Sequence, residues 1–249
     1  MKKLFTVLLA AMMLLAMVAC GNDTPDPTPD TKTLYMATEV PFAPYEYYDG
    51  DKLVGIDVDV ANAIAEKLGM KLEVVDIAFD SIVSGVQAGK YDVGMSGISI
   101  TEKRQKNALF TDPYCLAAQA IVVTADSPIT CKADLEGKKV SVQTGTTAEE
   151  YCMGNGYEVL AFTANNDAAS ALTSGKVDAW VVDNEVALAM APDLGLTVLD
   201  EAMTAEPYAF AFQKGSELVA PFNEALDALL ADGTVEKIFS DYGVTYVGP

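Results

Sequence analysis

The chain has no histidine, one tryptophan, four cysteines and only 16 basic residues against 36 acidic ones in 249 positions, and each scarcity excludes something. Without histidine there is no side chain whose ordinary pKa lies near neutrality and no imidazole ligand, so Ser-His and Cys-His nucleophiles and the common zinc-hydrolase sites fall away together. Carboxylate catalysis survives that exclusion. A formal net charge of −20 repels phosphate backbones, and no basic stripe runs along the chain to offset it, which excludes nucleic acid as a partner. What is abundant is apolar: 51% of the residues are hydrophobic, enough for one or two domains with real cores and too many for a disordered chain.

Lys2 and Lys3 precede an apolar run from Leu4 to Ala19 that stops a little short of the roughly 20 residues needed to cross a bilayer, and the run ends at Cys20. This is the layout of a secretory signal, residues 1–19. Met17-Val18-Ala19-Cys20 resembles the bacterial lipobox, which implies cleavage before Cys20 and acylation of its thiol; a signal cut by ordinary signal peptidase and an uncleaved anchor helix are the alternatives. Two or three acyl chains anchor stably where one does not. Loss of the peptide leaves 14 basic residues against 36 acidic ones, a net charge of −22. Residues 20–33 then form the lipidated cysteine and a tether: Gly21 to Lys32 holds three prolines, three aspartates and no large apolar residue, so it cannot bury surface.

From Leu34 onward short β-rich runs alternate with helical stretches, the pattern of an α/β fold with open sheets. Leu34 to Ala37 opens a strand, and Asp57 or Asp59 can cap a helix whose Val60, Ile64 and Leu68 share one stripe before Gly69 ends it. A strand at Leu72 to Val75, a helix from about Asp80 to Ala88 and a strand at Tyr91 to Met95 follow. The stretch Ala88-Gly89-Lys90-Tyr91-Asp92-Val93 is echoed by Ser174-Gly175-Lys176-Val177-Asp178-Ala179. Together with strands at Val140 to Val142, Val159 to Phe162 and Val177 to Val182, the echo predicts two lobes of similar construction. Ligands of open α/β sheets bind beyond the carboxyl ends of the strands, so two facing sheets make a cleft. Leu116 to Thr124 and Tyr208 to Phe212 are the candidate crossings, and Pro221 to Tyr242, with Phe222, Leu226 and Leu229 on one helical face, is expected to cover the first lobe. The boundaries that follow are 34–118 with 208–249 for lobe 1 and 119–207 for lobe 2.

The sharpest local conflict lies at Thr101-Glu102-Lys103-Arg104. Thr101 is a plausible N-cap, yet Lys103, Arg104 and Lys106 crowd the positive end of the helix dipole. Directly after the Ser96-Gly97-Ile98-Ser99 loop, such a basic turn reads as an anion site of free N–H groups, hydroxyls and a guanidinium, or else as a solvated basic helix start. In the second lobe Gln143-Thr144-Gly145-Thr146-Thr147 follows a strand, and Thr147 with Glu150 has capping-box spacing. Asp183, after the apolar run Trp180 to Val182, is either an acceptor for an ammonium group or an N-cap. Glu39, Phe42 and Phe79 place an acid and two aromatics at turns; the aromatics either belong to the core or sandwich a ligand side chain whose cationic tip Glu39 favours. Cys115, Cys131 and Cys152 lack a histidine partner for nucleophilic work, and Cys131 with Cys152 is the preferred disulfide in an exported chain.

In their shared order, Pro41-Phe42-Ala43-Pro44-Tyr45, Gly55-Ile56-Asp57-Val58-Asp59-Val60-Ala61, Ser99-Ile100-Thr101-Glu102-Lys103-Arg104, Phe110-Thr111-Asp112-Pro113-Tyr114, Asp134-Leu135-Glu136-Gly137-Lys138-Lys139-Val140 and Ala231-Asp232-Gly233-Thr234 resemble the family 3 extracellular solute-binding proteins. The resemblance spans nearly all of Leu34 to Gly243. It implies a two-lobed periplasmic binding protein-like (type II) fold, two open mixed sheets joined by two hinge strands, and capture of a free polar or basic amino acid for an ABC importer. It implies Arg104 on the α-carboxylate, Asp183 on the α-ammonium, polar contacts from Gly97, Ser99, Gln143 and Thr147, and packing by Phe42 and Phe79. Glu39 stands where relatives that bind lysine, arginine or glutamine often have aspartate. The expected protein is an extracytoplasmic monomer held to the membrane through Cys20, with a permease as partner and with neither cofactor nor metal. The rival readings are a cyclohexadienyl or arogenate dehydratase-like enzyme, working through cleft carboxylates, and a ligand sensor for a partner receptor.

Overall fold

The computed structural model describes residues 32–249, so the expectations for the signal, for Cys20 and for the tether as far as residue 31 lie outside the described residues. The first half of the chain supplies β1 (Thr33–Thr38), the hairpin β2 (Tyr47–Asp49) and β3 (Lys52–Val54), then β4 (Lys71–Asp76), β5 (Val93–Gly94) and β6 (Ala108–Phe110). There follow β7 (Cys115–Ala117), β8 (Gln119–Thr124), β9 (Lys139–Gln143), β10 (Glu158–Phe162), β11 (Ala179–Asp183), β12 (Leu196–Val198), β13 (Glu206–Tyr208) and β14 (Ala211–Gln213). Two open five-stranded sheets result, in the orders β4-β1-β5-β14-β6 and β10-β9-β11-β8-β12.

The two sheets are built alike. In each, a central strand (β1 or β9) runs parallel to both neighbours, and the fourth strand (β14 or β8) is antiparallel and arrives from the other half of the chain. The crossings are β7 and β13, which pair with each other as an antiparallel ribbon, Glu206 opposite Ala117 and Tyr208 opposite Cys115. They lie slightly outside the runs expected from hydrophobicity: Gln119 onward already belongs to the second sheet, and Ala211 onward to the first. Continuous apolar character marks a buried strand without marking where one sheet stops and a ribbon begins.

The sequence echo is a repeated device. The helices Phe79–Gln87 and Asn165–Thr173 each end before a left-handed glycine, Gly89 and Gly175, both at φ 69°. Two residues past the following Lys90 and Lys176, an aspartate turns back to the first residues of the central strand: Asp92 Oδ2 accepts from Tyr35 N at 2.9 Å, and Asp178 Oδ2 accepts from Lys139 N at 2.8 Å. The β strands here are shorter than the apolar runs, since β5 comprises only Val93–Gly94.

Caps differ from expectation. The helix Ile56–Lys67 starts after Gly55, whose φ of 138° brings its Cα so near Tyr45 O that an added Cβ would sit 2.0 Å from that oxygen, and neither Asp57 nor Asp59 caps it. Both carboxylates serve distant partners instead: Asp57 bonds Gly97 N and Tyr114 Oη, and Asp59 accepts from Tyr242 Oη. The carboxyl-terminal segment forms two helices, Val219–Ala231 and Thr234–Asp241. Phe222 packs edge-on against Phe210 and Phe212, at 5.7 and 4.9 Å between ring centroids, and so covers the first sheet. The expected Cys131–Cys152 disulfide is absent, and Cys115, Cys131 and Cys152 are all free thiols. Cys152 is buried in the second core with Ile121, Leu135 and Val140, whereas Cys131 begins the short helical turn Lys132–Leu135, its sulfur 3.6 Å from Asp134 Oδ2.

Candidate functional site

Parallel strands aim their carboxyl ends the same way, so each sheet delivers its loops to one edge, and the two edges meet at the β7–β13 ribbon. From the first sheet come Glu39 after β1 and Ser96 to Ser99 after β5; from the second come Gln143 to Thr147 after β9, and Asp183 as the last residue of β11. These residues close on a narrow crevice of about 10 Å³ lined by Phe42, Phe79, Gly97, Ser99, Arg104, Gln143, Thr147 and Asp183, with Ser96 and Thr146 beside them. Glu39 stands behind Gln143, whose Nε2 donates to Glu39 Oε2 from the opposite sheet. Phe42 is almost fully buried and stacks on Tyr45 with centroids 5.6 Å apart, while Phe79 is half-buried as the first residue of its helix.

Arg104 is the only arginine in the chain. Its guanidinium lies 5.3 Å from the Phe79 ring centroid, donates from Nη1 to Ser99 O at 2.9 Å, and reaches across the crevice from Nη2 to Gly145 O at 3.1 Å. None of the ion pairs among the described residues involves it. Burial lowers its pKa from the ordinary value, opposed by the more distant Glu206, Glu150 and Asp183. Two of five N–H donors are occupied by neutral carbonyls, which leaves a partly desolvated cation with donors to offer an anion. The expected array of free helix N–H groups does not form. The helix Glu102–Gln105 is a single turn, and Thr101 Oγ1 already accepts from Arg104 N at 3.1 Å, so the guanidinium itself supplies the positive charge.

The acids are equally without cationic partners. Asp183 heads the helix Asn184–Met190 but makes no side-chain cap; its Oδ1 accepts from Tyr208 Oη and from Gln119 Nε2 at 2.9 Å. Burial pushes its pKa up from 3.8 to about 7, with the Glu206 charge adding to the shift and the hydrogen bonds opposing it. Glu39 is likewise raised from 4.5 to about 7, by burial first; Gln143 lowers it, and the nearby Asp76 and Asp80 raise it. Buried carboxylates held by neutral donors favour a cation that enters among them.

One cap and several contacts differ from what the local sequence predicts. The helix Thr147–Gly154 is capped by Thr146, which accepts from Glu149 N at 3.2 Å, so the cap lies one residue earlier than expected; Glu149 Oε2 accepts from Gly145 N at 2.7 Å, the residue before the cap, and the expected capping box does not close. Thr147 is thereby released: its hydroxyl donates to Glu206 Oε2 at 2.6 Å, and Ser99 Oγ donates to the same oxygen at 2.5 Å. Nothing in the local sequence around Glu206 signals this, because its partners lie 59 and 107 residues away. Beneath the crevice, Asp57 Oδ2 accepts from Gly97 N at 2.9 Å, and Glu46 Oε1 accepts from Ser96 Oγ. The Gly97 N–H is therefore occupied, and its φ of 52° and the Phe42 ring, 2.8 Å from where a Cβ would stand, leave room for glycine alone.

The family model described as bacterial extracellular solute-binding proteins, family 3, matches residues 34–245. The chain is 34% identical over 246 residues to the arginine-binding extracellular protein ArtP of Bacillus subtilis (strain 168), covering 96% of each. It is similar to a solved ancestral arginine-binding protein bound to arginine, at 43% identity and a TM-score of 0.79 over 84% of this chain and 97% of that one. An ancestral amino acid-binding protein, AncCDT-1, a precursor of cyclohexadienyl dehydratase, matches at 36% identity and a TM-score of 0.79 over 84% and 95% of the two chains. These neighbours have the type II two-lobed architecture described above.

The raised acids set the pH dependence of the chain alone. Between the ordinary 3.8 and the folded value of about 7, Asp183 holds more proton folded than unfolded, so its contribution to stability falls as pH rises through that window. Asp183→Asn keeps Oδ1 as acceptor and removes the titration. In urea melts without ligand, the variant should exceed wild type at pH 7.5, and its advantage should shrink on the order of 2 kcal/mol by pH 5. An advantage independent of pH would contradict buried ionisation as the cause.

Proposed function

The chain belongs to the bacterial extracellular solute-binding proteins, family 3, and from that premise we propose that it captures a free amino acid with a cationic side chain, arginine foremost, for delivery to an ABC importer. The observation that carries the reading is the separation of charge in the crevice. A lone guanidinium without a carboxylate partner stands at one place, and two raised-pKa carboxyls without cationic partners, Asp183 and Glu39, stand at others. An α-carboxylate on Arg104, an α-ammonium on Asp183 and a guanidinium or ammonium tip toward Glu39 neutralise all three. Phe42 and Phe79 supply apolar walls for the methylene stem, and Gln143, Ser99, Gly97 and Thr147 complete the polar lining.

Closure follows from the same charges. Arg104 belongs to lobe 1 (34–118 with 208–249) and Asp183 to lobe 2 (119–207), so a dipolar ligand satisfies both only when the lobes meet, and it binds that arrangement better than an open one. The reading is non-enzymatic: the crevice acids are placed to hold a cation, and the protein resembles binding proteins, including the amino acid-binding precursor of a dehydratase. It also includes a lipid anchor on Cys20 that keeps the domain outside the cytoplasm at the membrane, next to the permease. Metabolic labelling with a radioactive fatty acid tests the anchor; the label should vanish in Cys20→Ala, and its persistence there would refute the assignment.

For the site, a thermal-shift screen over the common amino acids should give its largest stabilisation with arginine or another cationic amino acid. Arg104→Ala leaves an α-carboxylate without its partner and should weaken binding by roughly 3 kcal/mol, about a hundredfold, in titration calorimetry. Near-native affinity in the variant would remove Arg104 from the carboxylate role, and a turnover of the bound compound would favour the enzymatic alternative.

A further inference from the structure

This inference rests on the reading of the crevice as an amino acid site and adds to it a residue that does not line it. Glu206 stands on the crossing strand β13, buried, with a hydroxyl from each sheet on one of its oxygens: Ser99 Oγ at 2.5 Å and Thr147 Oγ1 at 2.6 Å from Oε2. Its other oxygen accepts from Thr204 Oγ1 at 2.8 Å, and that hydroxyl in turn accepts from Gln119 N at 2.9 Å. We infer that Glu206 is a positioning residue for the ligand's α-ammonium, acting through Ser99 and Thr147.

A hydroxyl has one proton to donate and lone pairs with which to accept. Ser99 and Thr147 both commit that proton to Glu206, so toward the crevice they present lone pairs only. Thr147 also accepts from Gln119 Nε2 at 3.3 Å, which fixes its polarity from a second side. With Asp183 on the same lining, the result is a wall of acceptors suited to a three-proton donor and hostile to a carboxylate. Glu206 thus sets which end of a zwitterion faces this wall and leaves Arg104 as the place for the other end. A competing role is open on the same geometry, because Glu206 is the foremost charge acting on Arg104 and could serve the carboxylate end by tuning that guanidinium.

Glu206→Gln separates the two. A glutamine oxygen can accept both hydroxyls only by turning its amide NH2 onto Thr204, and in either orientation the variant removes the negative charge that holds both protons away from the crevice. Calorimetric titrations of wild type and variant would use L-arginine, 5-guanidinopentanoate, which lacks the α-amino group, and agmatine, which lacks the carboxylate. The variant should lose about tenfold or more on arginine and agmatine and less than about threefold on 5-guanidinopentanoate, whose retained binding also shows that the variant is folded. Equal losses on all three ligands, losses confined to the two carboxylate-bearing ligands, or no loss would overturn the assignment while leaving the amino acid site in place. Wild type that binds no amino acid would overturn the underlying reading and the role of Glu206 with it. Should Glu206→Gln fail to fold, Thr147→Val removes one arm of the arrangement, and the same pattern across the three ligands is expected; a uniform loss would again overturn it.

Discussion

The structure turns on a refusal to pair. Arg104 and Asp183 line one narrow crevice and Glu39 stands behind its Gln143 wall, yet the first is held by backbone carbonyls and the others by amides and a phenol. An internal ion pair would relieve the desolvation of each, and breaking a buried pair to admit a ligand would cost several kcal/mol. Neutral partners keep the charges in position and leave their fields unanswered. The price of that arrangement appears in the raised carboxyl pKa values and the lowered arginine pKa.

Holding unanswered charges in register requires a stiff frame, and the fold provides it at the carboxyl ends of parallel strands. The Ser96–Ser99 loop is fixed from below by the acids Asp57 and Glu46, both fully buried. Burial comes first in raising both, and the Asp57 charge raises Glu46 further. Asp57 is itself tied to Tyr114 just before the ribbon, and Tyr208 within the ribbon bonds Asp183. One chain of hydrogen bonds thus links the helix Ile56–Lys67, the first-sheet loop, the crossing strands and the last residue of β11. A displacement of the crossings would be felt at both charged ends of the crevice, which is the mechanical requirement for a hinge that reports occupancy.

Much of this was legible in the sequence because it was local or periodic. Alternating strands and helices gave the class, and the Gly-Lys-X-Asp echo pointed to two similar halves through residues that prove to perform the same turn and the same strand-start bond. The conflict of cations at a helix start singled out Arg104, and its uniqueness as the chain's only arginine sharpens that signal further. What escaped was set by tertiary contact. The one-residue choice between Thr146 and Thr147 as cap depends on Glu206 drawing the second hydroxyl away, and Asp57 abandons a capping role for partners 40 and 57 residues distant. Cys131 and Cys152 fail to pair because one belongs to a surface turn and the other to a core, a distinction that spacing does not carry.

The most direct test of unanswered buried charge is to count protons. If a cationic amino acid ionises carboxyls that stand near pH 7 in the empty crevice, binding at that pH must release protons. Titrations of arginine at pH 7 in buffers of different ionisation enthalpy measure the number released. The account predicts a clear release at pH 7 that fades by pH 8.5, where Asp183 and Glu39 are already ionised. Tight binding with no buffer dependence at pH 7 would contradict it.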